Sequence, residues 1–198
     1  MARPGSDLQS KQQWRRHLLS KRRRTPAAVR FAEALALTAQ LTRGRVLHPG
    51  QTVCLYVPTG SEPGTVQMLE EVADRGVRVL LPVIAGVGPL DWAWFAGLDA
   101  LRMGPYGIPE PDGERLGSAA LRIADVVFVP ALAVDRSGVR LGRGAGFYDR
   151  SLPLAAPGTA FVAVVREDEV VDWLPADPHD VRMSAVLTPN RGLMPLSV

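Results

Sequence analysis

The sequence predicts an α/β domain built on a mostly parallel β-sheet. Two apolar runs, 52–57 and 77–84, flank a helical stretch at 65–75 with short connections, the order of a βαβ unit. A third and more apolar run, 124–134, points toward a glycine-rich segment, as strands of open sheets point toward their ligands. There is no internal repeat and no compositional break, so one domain over 7–198 is expected, after a short disordered tail at 1–6.

In chain order, residues 7–24 read as a helix, with Trp14 and Leu18 one turn apart and no Gly or Pro between them. Lys11, Arg15 and Arg22 share one face of it, and Lys21-Arg22-Arg23-Arg24 forms a basic run. Thr25 as N-cap and Pro26 at the first position open a second helix to about Arg43, with Gly44 as its stop. The strand at 52–57 ends at Pro58, and Thr59-Gly60-Ser61-Glu62-Pro63-Gly64 is a polar loop at its carboxyl end. In 65–75, Val66, Met68, Leu69, Val72 and Ala73 form the apolar face and Gly76 the stop. Residues 90–95 read as a strand nearer an edge, and 102–111, rich in Gly and Pro, as a loop of fixed shape. Strands follow at 124–134, which delivers the glycine segment, and at 161–165, 170–174 and 185–188.

Composition is that of an ordinary globular protein, 46% hydrophobic and 22% charged. The lone Cys54 cannot form an internal disulfide and reads as a small buried hydrophobe in a reducing compartment. No apolar stretch is long enough to span a membrane, and Lys11, Arg15 and Arg16 break the first apolar cluster. A cytoplasmic protein is expected. Of 23 Lys/Arg and 20 Asp/Glu, 11 and 2 fall within residues 1–45, so a basic N-terminal segment precedes a mildly acidic body. That asymmetry suits an anionic partner.

The chemistry concentrates in Arg140-Leu141-Gly142-Arg143-Gly144-Ala145-Gly146-Phe147-Tyr148-Asp149. Alternating glycines let the backbone approach a ligand, and successive N–H groups form an anion-binding concavity. Arg140 and Arg143 can pair with phosphate oxygens and Asp149 can hold a divalent metal, which together read as a triphosphate site. The even glycine spacing matches neither the P-loop nor the dinucleotide fingerprint. His17, His48 and His179 lack zinc-ligand spacing, and there is no nucleophile elbow. Other candidates remain double-edged. Lys11 and Arg15 are either a solvated face or ligand contacts, and Glu62 is either a solvent-facing carboxylate or a substrate contact. Asp180 is either a metal ligand or a turn cap, and Tyr106, Trp92 and Trp94 either stack on a flat ring or fill the core.

Five stretches together resemble the 5-formyltetrahydrofolate cyclo-ligases, also known as methenyltetrahydrofolate synthetases. They are the glycine segment, Val129-Pro130-Ala131-Leu132-Ala133-Val134-Asp135 before it, Lys11-Gln12-Gln13-Trp14-Arg15, Met103-Gly104-Pro105-Tyr106-Gly107-Ile108-Pro109-Glu110-Pro111, and His179-Asp180 with Ala185-Val186-Leu187-Thr188. The resemblance implies a three-layer α/β/α fold like that of phosphopentose isomerases and CoA transferases. It also implies an ATP- and Mg2+-dependent conversion of 5-formyltetrahydrofolate to 5,10-methenyltetrahydrofolate, with the formyl oxygen phosphorylated and ADP and phosphate released. Carried over by position, Lys11, Gln12, Gln13, Trp14, Arg15 and Arg140, Leu141, Gly142, Arg143, Gly144, Ala145, Gly146, Phe147, Tyr148 bind ATP. Arg15, Thr59, Glu62, Gly64, Tyr106, Arg143, Gly144, Ala145, Gly146 and Phe147 contact a reduced folate, polyglutamylated or not. Arg15 and Arg143 carry catalysis, and Asp149 and Asp180 hold Mg2+. A monomer without nucleic-acid or membrane partners is implied.

Three positions depart from the family pattern: Gly64 where an acid is usual, Phe147 where Tyr is usual and Ser184 where an acid is common. Gly64 motivates an alternative, an ATP-binding relative acting on another formamide or amide. The basic N-terminus motivates a further one, a nucleic-acid binder.

Overall fold

The structure, a computed structural model, describes residues 10–43 and 46–197. The expected tail, the first residues of the first helix and the Gly44 stop lie outside the described residues. The helices are α1 (Lys11–Arg24), α2 (Ala27–Arg43), α3 (Gln67–Ala73) and α4 (Phe147–Ser151). The strands are β1 (Thr52–Cys54), β2 (Arg78–Val83), β3 (Asp91–Trp94), β4 (Leu101–Met103), β5 (Pro109–Pro111) and β6 (Val126–Pro130). They continue with β7 (Ala133–Asp135), β8 (Arg140–Leu141), β9 (Ala160–Val164), β10 (Val170–Val171), β11 (Ala185–Thr188) and β12 (Gly192–Pro195).

Seven strands form the main sheet in the order β12-β11-β9-β6-β1-β2-β3. The five inner strands run parallel, and β3 and β12 close the edges antiparallel. Side chains alternate across this sheet, which is why its strands are apolar throughout. Val53, Val79, Leu81, Phe128 and Val162 pack on one face with Leu37 and Leu41 of α2 and Met68, Leu69 and Val72 of α3. Cys54, Leu80, Val127, Val129 and Ala163 pack on the other, under Leu121, Leu152 and Trp92. Short 3-10 turns at Ser118–Ile123 and Leu152–Leu154 supply much of this second cover.

The expected strand at 124–134 is two strands in two sheets. β6 leaves the main sheet at Pro130, and β7 joins β8 and β10 in a separate three-stranded sheet. The apolar run is continuous because it crosses two cores: Val127 and Val129 belong to the main one, Leu132 and Ala133 to a cluster built on Trp14 and Leu18 of α1. The glycine segment therefore hangs from β8, not from the long strand. Asp135, buried, shapes the turn between β7 and β8. Its Oδ1 accepts from Ser137 N, Ser137 Oγ and Val139 N at 2.8–3.0 Å, and its Oδ2 accepts from Leu174 N at 3.0 Å.

Four further expectations change. Residues 102–111 are a hairpin, β4 with β5, around a 3-10 turn at Pro105–Gly107. The strand expected over 170–174 is limited to β10, and β12 was not anticipated. Thr25 ends α1 instead of capping α2: its N–H donates to the Arg22 carbonyl and its hydroxyl to that of Lys21. Arg22, placed by spacing on the face of Lys11 and Arg15, is buried. Its Nε and Nη2 donate to the two Glu169 carboxylate oxygens at 2.6 and 2.7 Å, and Nη2 also donates to Ala131 O at 2.6 Å. Burial alone would lower the Arg22 pKa, but the Glu169 pair outweighs it and raises it. One residue of the basic run is thus withdrawn from any polyanion.

Candidate active site

Between the carboxyl ends of β1 and β6 the strand order reverses, and a cavity of about 620 Å³ opens there. Its walls come from the loop after β1, the β4–β5 hairpin, the glycine loop after β8, the first two turns of α1 and the segment around Asp180. A capping box starts α1: Gln13 N donates to Ser10 Oγ, and Ser10 N donates to Gln13 Oε1 at 3.0 Å. Trp14 and Leu18 bury the stripe of the helix next to Lys11 and Arg15, worth about 1.5–3 kcal/mol per side chain. Lys11 and Arg15, at the edge of that buried stripe, line the cavity.

The glycine loop is a bed for guanidinium groups. A Cβ at Gly142 would come within 2.8 Å of Arg140 Nη1, at Gly144 within 3.3 Å of Arg15 Cζ, and at Gly146 within 2.6 Å of Arg150 Nη1. Gly144 and Gly146 also hold φ of +108° and +73°, backbone that L side chains rarely adopt. Arg15 Nε donates to Gly142 O at 3.0 Å, and Arg140 Nη2 donates to Asp149 Oδ1 at 2.6 Å. Arg143 Nε pairs with Glu62 Oε1 at 3.1 Å, while Glu62 Oε2 accepts from Thr59 N and Thr59 Oγ1 at 3.0 Å. The loop after β1 is held further by Tyr56, whose hydroxyl donates to Pro63 O at 2.7 Å. Burial pushes the Tyr56 and Tyr148 phenols up, so both stay neutral at physiological pH. The segment joins positive charge to exposed backbone, a pairing suited to phosphate oxygens. Because α4 spans only five residues, the loop and not a helix terminus supplies that backbone.

At the polar end, Lys11 Nζ donates to Asp177 Oδ2 and Asp180 Oδ2 at 2.7 Å each. Partial burial would lower the Lys11 pKa, but these two carboxylates outweigh it and raise it; Lys11 in turn holds Asp177 below the usual range. Asp177, His179 and Asp180 bring their ligand atoms within 4.8 Å of one another. Two carboxylates and one imidazole make a mainly hard donor set that fits a divalent cation, and the Lys11 ammonium already rests on it as a cationic stand-in. The same cavity has an apolar part of its lining, Tyr56, Val57, Pro82, Ile84, Leu90 and Ile108. Tyr106 lines it while exposed, at φ 56°, its ring 6.5 Å from that of Phe147.

Most of the expected site residues meet in this one cavity: Lys11, Arg15, Thr59, Glu62, Tyr106, Arg140, Gly142 through Asp149 and Asp180 all line it. Five expected contacts lie off its wall. Gln12 is exposed and Gln13 is bound into the cap; Trp14 and Leu141 are core. Gly64, at φ +104°, is covered by Met68 and Pro58. Trp92 is core, and Trp94 is covered by the Arg78 guanidinium at 4.3 Å. Sequence reasoning missed Asp177, whose spacing three before Asp180 was the available signal, and Glu110, whose burial depends on contacts no local pattern announces.

Comparison with known proteins shows the family. The profile of the 5-formyltetrahydrofolate cyclo-ligase family matches residues 7–189. The chain belongs to that family. A 5-formyltetrahydrofolate cyclo-ligase of Mycolicibacterium smegmatis is 50% identical over 192 residues, 94% of this chain and 97% of its own. The cyclo-ligase of Escherichia coli K12 is 30% identical over 179 residues, 88% of this chain and 98% of its own. The solved 5,10-methenyltetrahydrofolate synthetase of Aquifex aeolicus superposes with a TM-score of 0.79 at 27% identity, covering 92% of this chain and 91% of its own. The α/β fold with its mostly parallel sheet is thus that of the methenyltetrahydrofolate synthetases. Among the described residues no helix is long and apolar enough to cross a membrane.

Proposed function

We propose that this cyclo-ligase converts 5-formyltetrahydrofolate to 5,10-methenyltetrahydrofolate and consumes one ATP in doing so. The observation that carries the reading is that Arg15, Arg140 and Arg143 line one cavity, with Arg15 and Arg140 lying against bare glycines of its loop. A formamide oxygen is a poor leaving group. Transfer of the γ-phosphoryl group to it forms an O–P bond, breaks the β,γ bond and releases ADP. The N10 lone pair then attacks the activated carbon, the C–O bond breaks with its electrons leaving on phosphate, and N10 loses its proton. Such chemistry asks for positioning and charge neutralisation more than for a protein nucleophile. In this reading Arg143 and Arg15 neutralise the transferring phosphoryl group, the loop amides and Lys11 hold the nucleotide, and Tyr106 covers the pterin ring. A magnesium ion held by Asp149 and Asp180 would add positive charge at the phosphates.

The test is direct. Purified protein with Mg-ATP and 5-formyltetrahydrofolate should develop methenyl absorbance in step with ADP release; its absence from folded, nucleotide-binding protein would reject the reading. Gly64 favours one alternative, a different formamide as substrate, since no carboxylate stands there. Faster ADP release with another N-formyl compound than with 5-formyltetrahydrofolate would select it.

A further inference from the structure

Five carboxylates line the cavity, and four of them are paired closely with cations. Glu62 lies 3.1 Å from Arg143, Asp149 lies 2.6 Å from Arg140, and Asp177 and Asp180 each lie 2.7 Å from Lys11. The fifth, Glu110 on β5, is different. It is 4% exposed, it lines the cavity against Ile84, and its ion pair with Arg115 is 3.8 Å long to a half-exposed partner. Its Oε1 accepts from Ile84 N at 2.8 Å, which ties the hairpin to the end of β2. Among the described residues no hydrogen bond reaches its Oε2. A buried carboxylate held by one oxygen and left open at the other is costly unless something completes it.

The carboxylate is also held from above. A Cβ on Gly104 would come within 2.6 Å of Glu110 Cδ and 2.8 Å of Oε2, so the bare backbone of Gly104 lies against the carboxyl group. Gly104 has φ of −97°, which any residue adopts, so its lack of a side chain serves this contact and not a turn. The hairpin thereby fixes both the position and the plane of the carboxylate. Around it, Ile84, Ile108 and Pro109 form apolar walls, and Tyr106 stands on the same hairpin.

We propose that Glu110 is a specificity-determining residue that accepts hydrogen bonds from the donor edge of the substrate's flat heterocycle, the 2-amino group and adjacent ring N–H of a pterin. This rests on the folate reading above. A two-donor edge matches a carboxylate in the way a guanidinium does, and Oε1 keeps a second lone pair beside its bond to Ile84. In the loop after β1 both Glu62 oxygens already meet Arg143 or Thr59, and Gly64 has no side chain, which leaves Glu110 as the buried carboxylate of the lining with an oxygen no hydrogen bond reaches among the described residues.

The experiment compares 5-formyltetrahydrofolate with its 2-desamino analogue in wild type, Glu110→Gln and Gly104→Ala. Glu110→Gln should raise KM for the parent folate by roughly tenfold or more and for the analogue much less, with KM for ATP within about twofold. Gly104→Ala, which pushes the carboxylate aside without removing it, should shift the same ratio in the same direction. Equal effects on both folates, or a parent KM within about twofold of wild type, would overturn the assignment and leave Glu110 a structural anchor. Should Glu110→Gln unfold, the Gly104→Ala ratio decides alone. A wild type inert toward the parent folate is a separate outcome: it sinks the folate reading, and this inference with it.

Discussion

Arg15 lies across Gly144, and the close approach depends on a hydrogen where any other residue carries carbon. Gly144→Ala should therefore have two effects. Backbone strain at φ +108° should cost about 1–3 kcal/mol in denaturant unfolding, and displacement of Arg15 should weaken nucleotide binding by about tenfold in a calorimetric titration. Full affinity in the alanine variant would show that the guanidinium bed is not where phosphate sits. At this scale the glycine segment was legible from sequence as a loop of bare backbone and arginine side chains, which the structure brings close together in one cavity. What spacing left open was which arginine each glycine serves: Arg15 reaches Gly144 from the distant first helix and donates to Gly142 O, 127 residues on in the chain. Arg22 reads the same in sequence as Arg15, yet it is buried against Glu169, because helical periodicity assigns a face and not the neighbour that covers it.

Among the elements, the β11–β12 hairpin is fastened by one acid. Glu167 Oε1 accepts from Asn190 N at 2.7 Å and Arg191 N at 3.1 Å, and Oε2 pairs with Arg191 Nε at 2.6 Å. Partial burial would raise its pKa, but the neighbouring Thr188 hydroxyl together with the Arg191 and Asn190 donors outweighs it and brings it down to about 2. A depressed carboxylate contributes stability that is present above its unfolded pKa and lost as pH falls through the folded value. Between about pH 4.5 and pH 2 the wild type should therefore lose about 1–2 kcal/mol through this group, discounted for solvent contact, and Glu167→Gln should remove that part of the slope. Parallel acid-unfolding curves for the two proteins would contradict this. The hairpin itself escaped sequence reasoning because Gly192-Leu193-Met194-Pro195 is too short for a period and ends in proline. The β4–β5 hairpin escaped it because Gly and Pro announce turns, and not the two short strands beside them.

Across the whole molecule, the buried Arg22–Glu169 pair joins α1 to the segment after β9 and, through Ala131 O, to the end of β6. It holds the helix that carries Lys11 and Arg15 against the mouth of the cavity. Removing one partner should be far worse than removing both. Arg22→Met or Glu169→Leu alone should cost about 3–5 kcal/mol, and the double variant much less than the sum. A double-mutant cycle by thermal and denaturant unfolding reads this, and simple additivity would refute it. By itself the sequence determined the α/β class, the βαβ order at the start of the sheet and the glycine segment as a stretch of bare, charged backbone, because apolar periodicity and glycine sterics act over a few neighbouring residues. Only the tertiary structure decided that 124–134 divides between two sheets, that Arg22 is core while Arg15 is site, and that Glu110 faces the slot. Each of those depends on burial against residues distant in the chain, which no local pattern encodes.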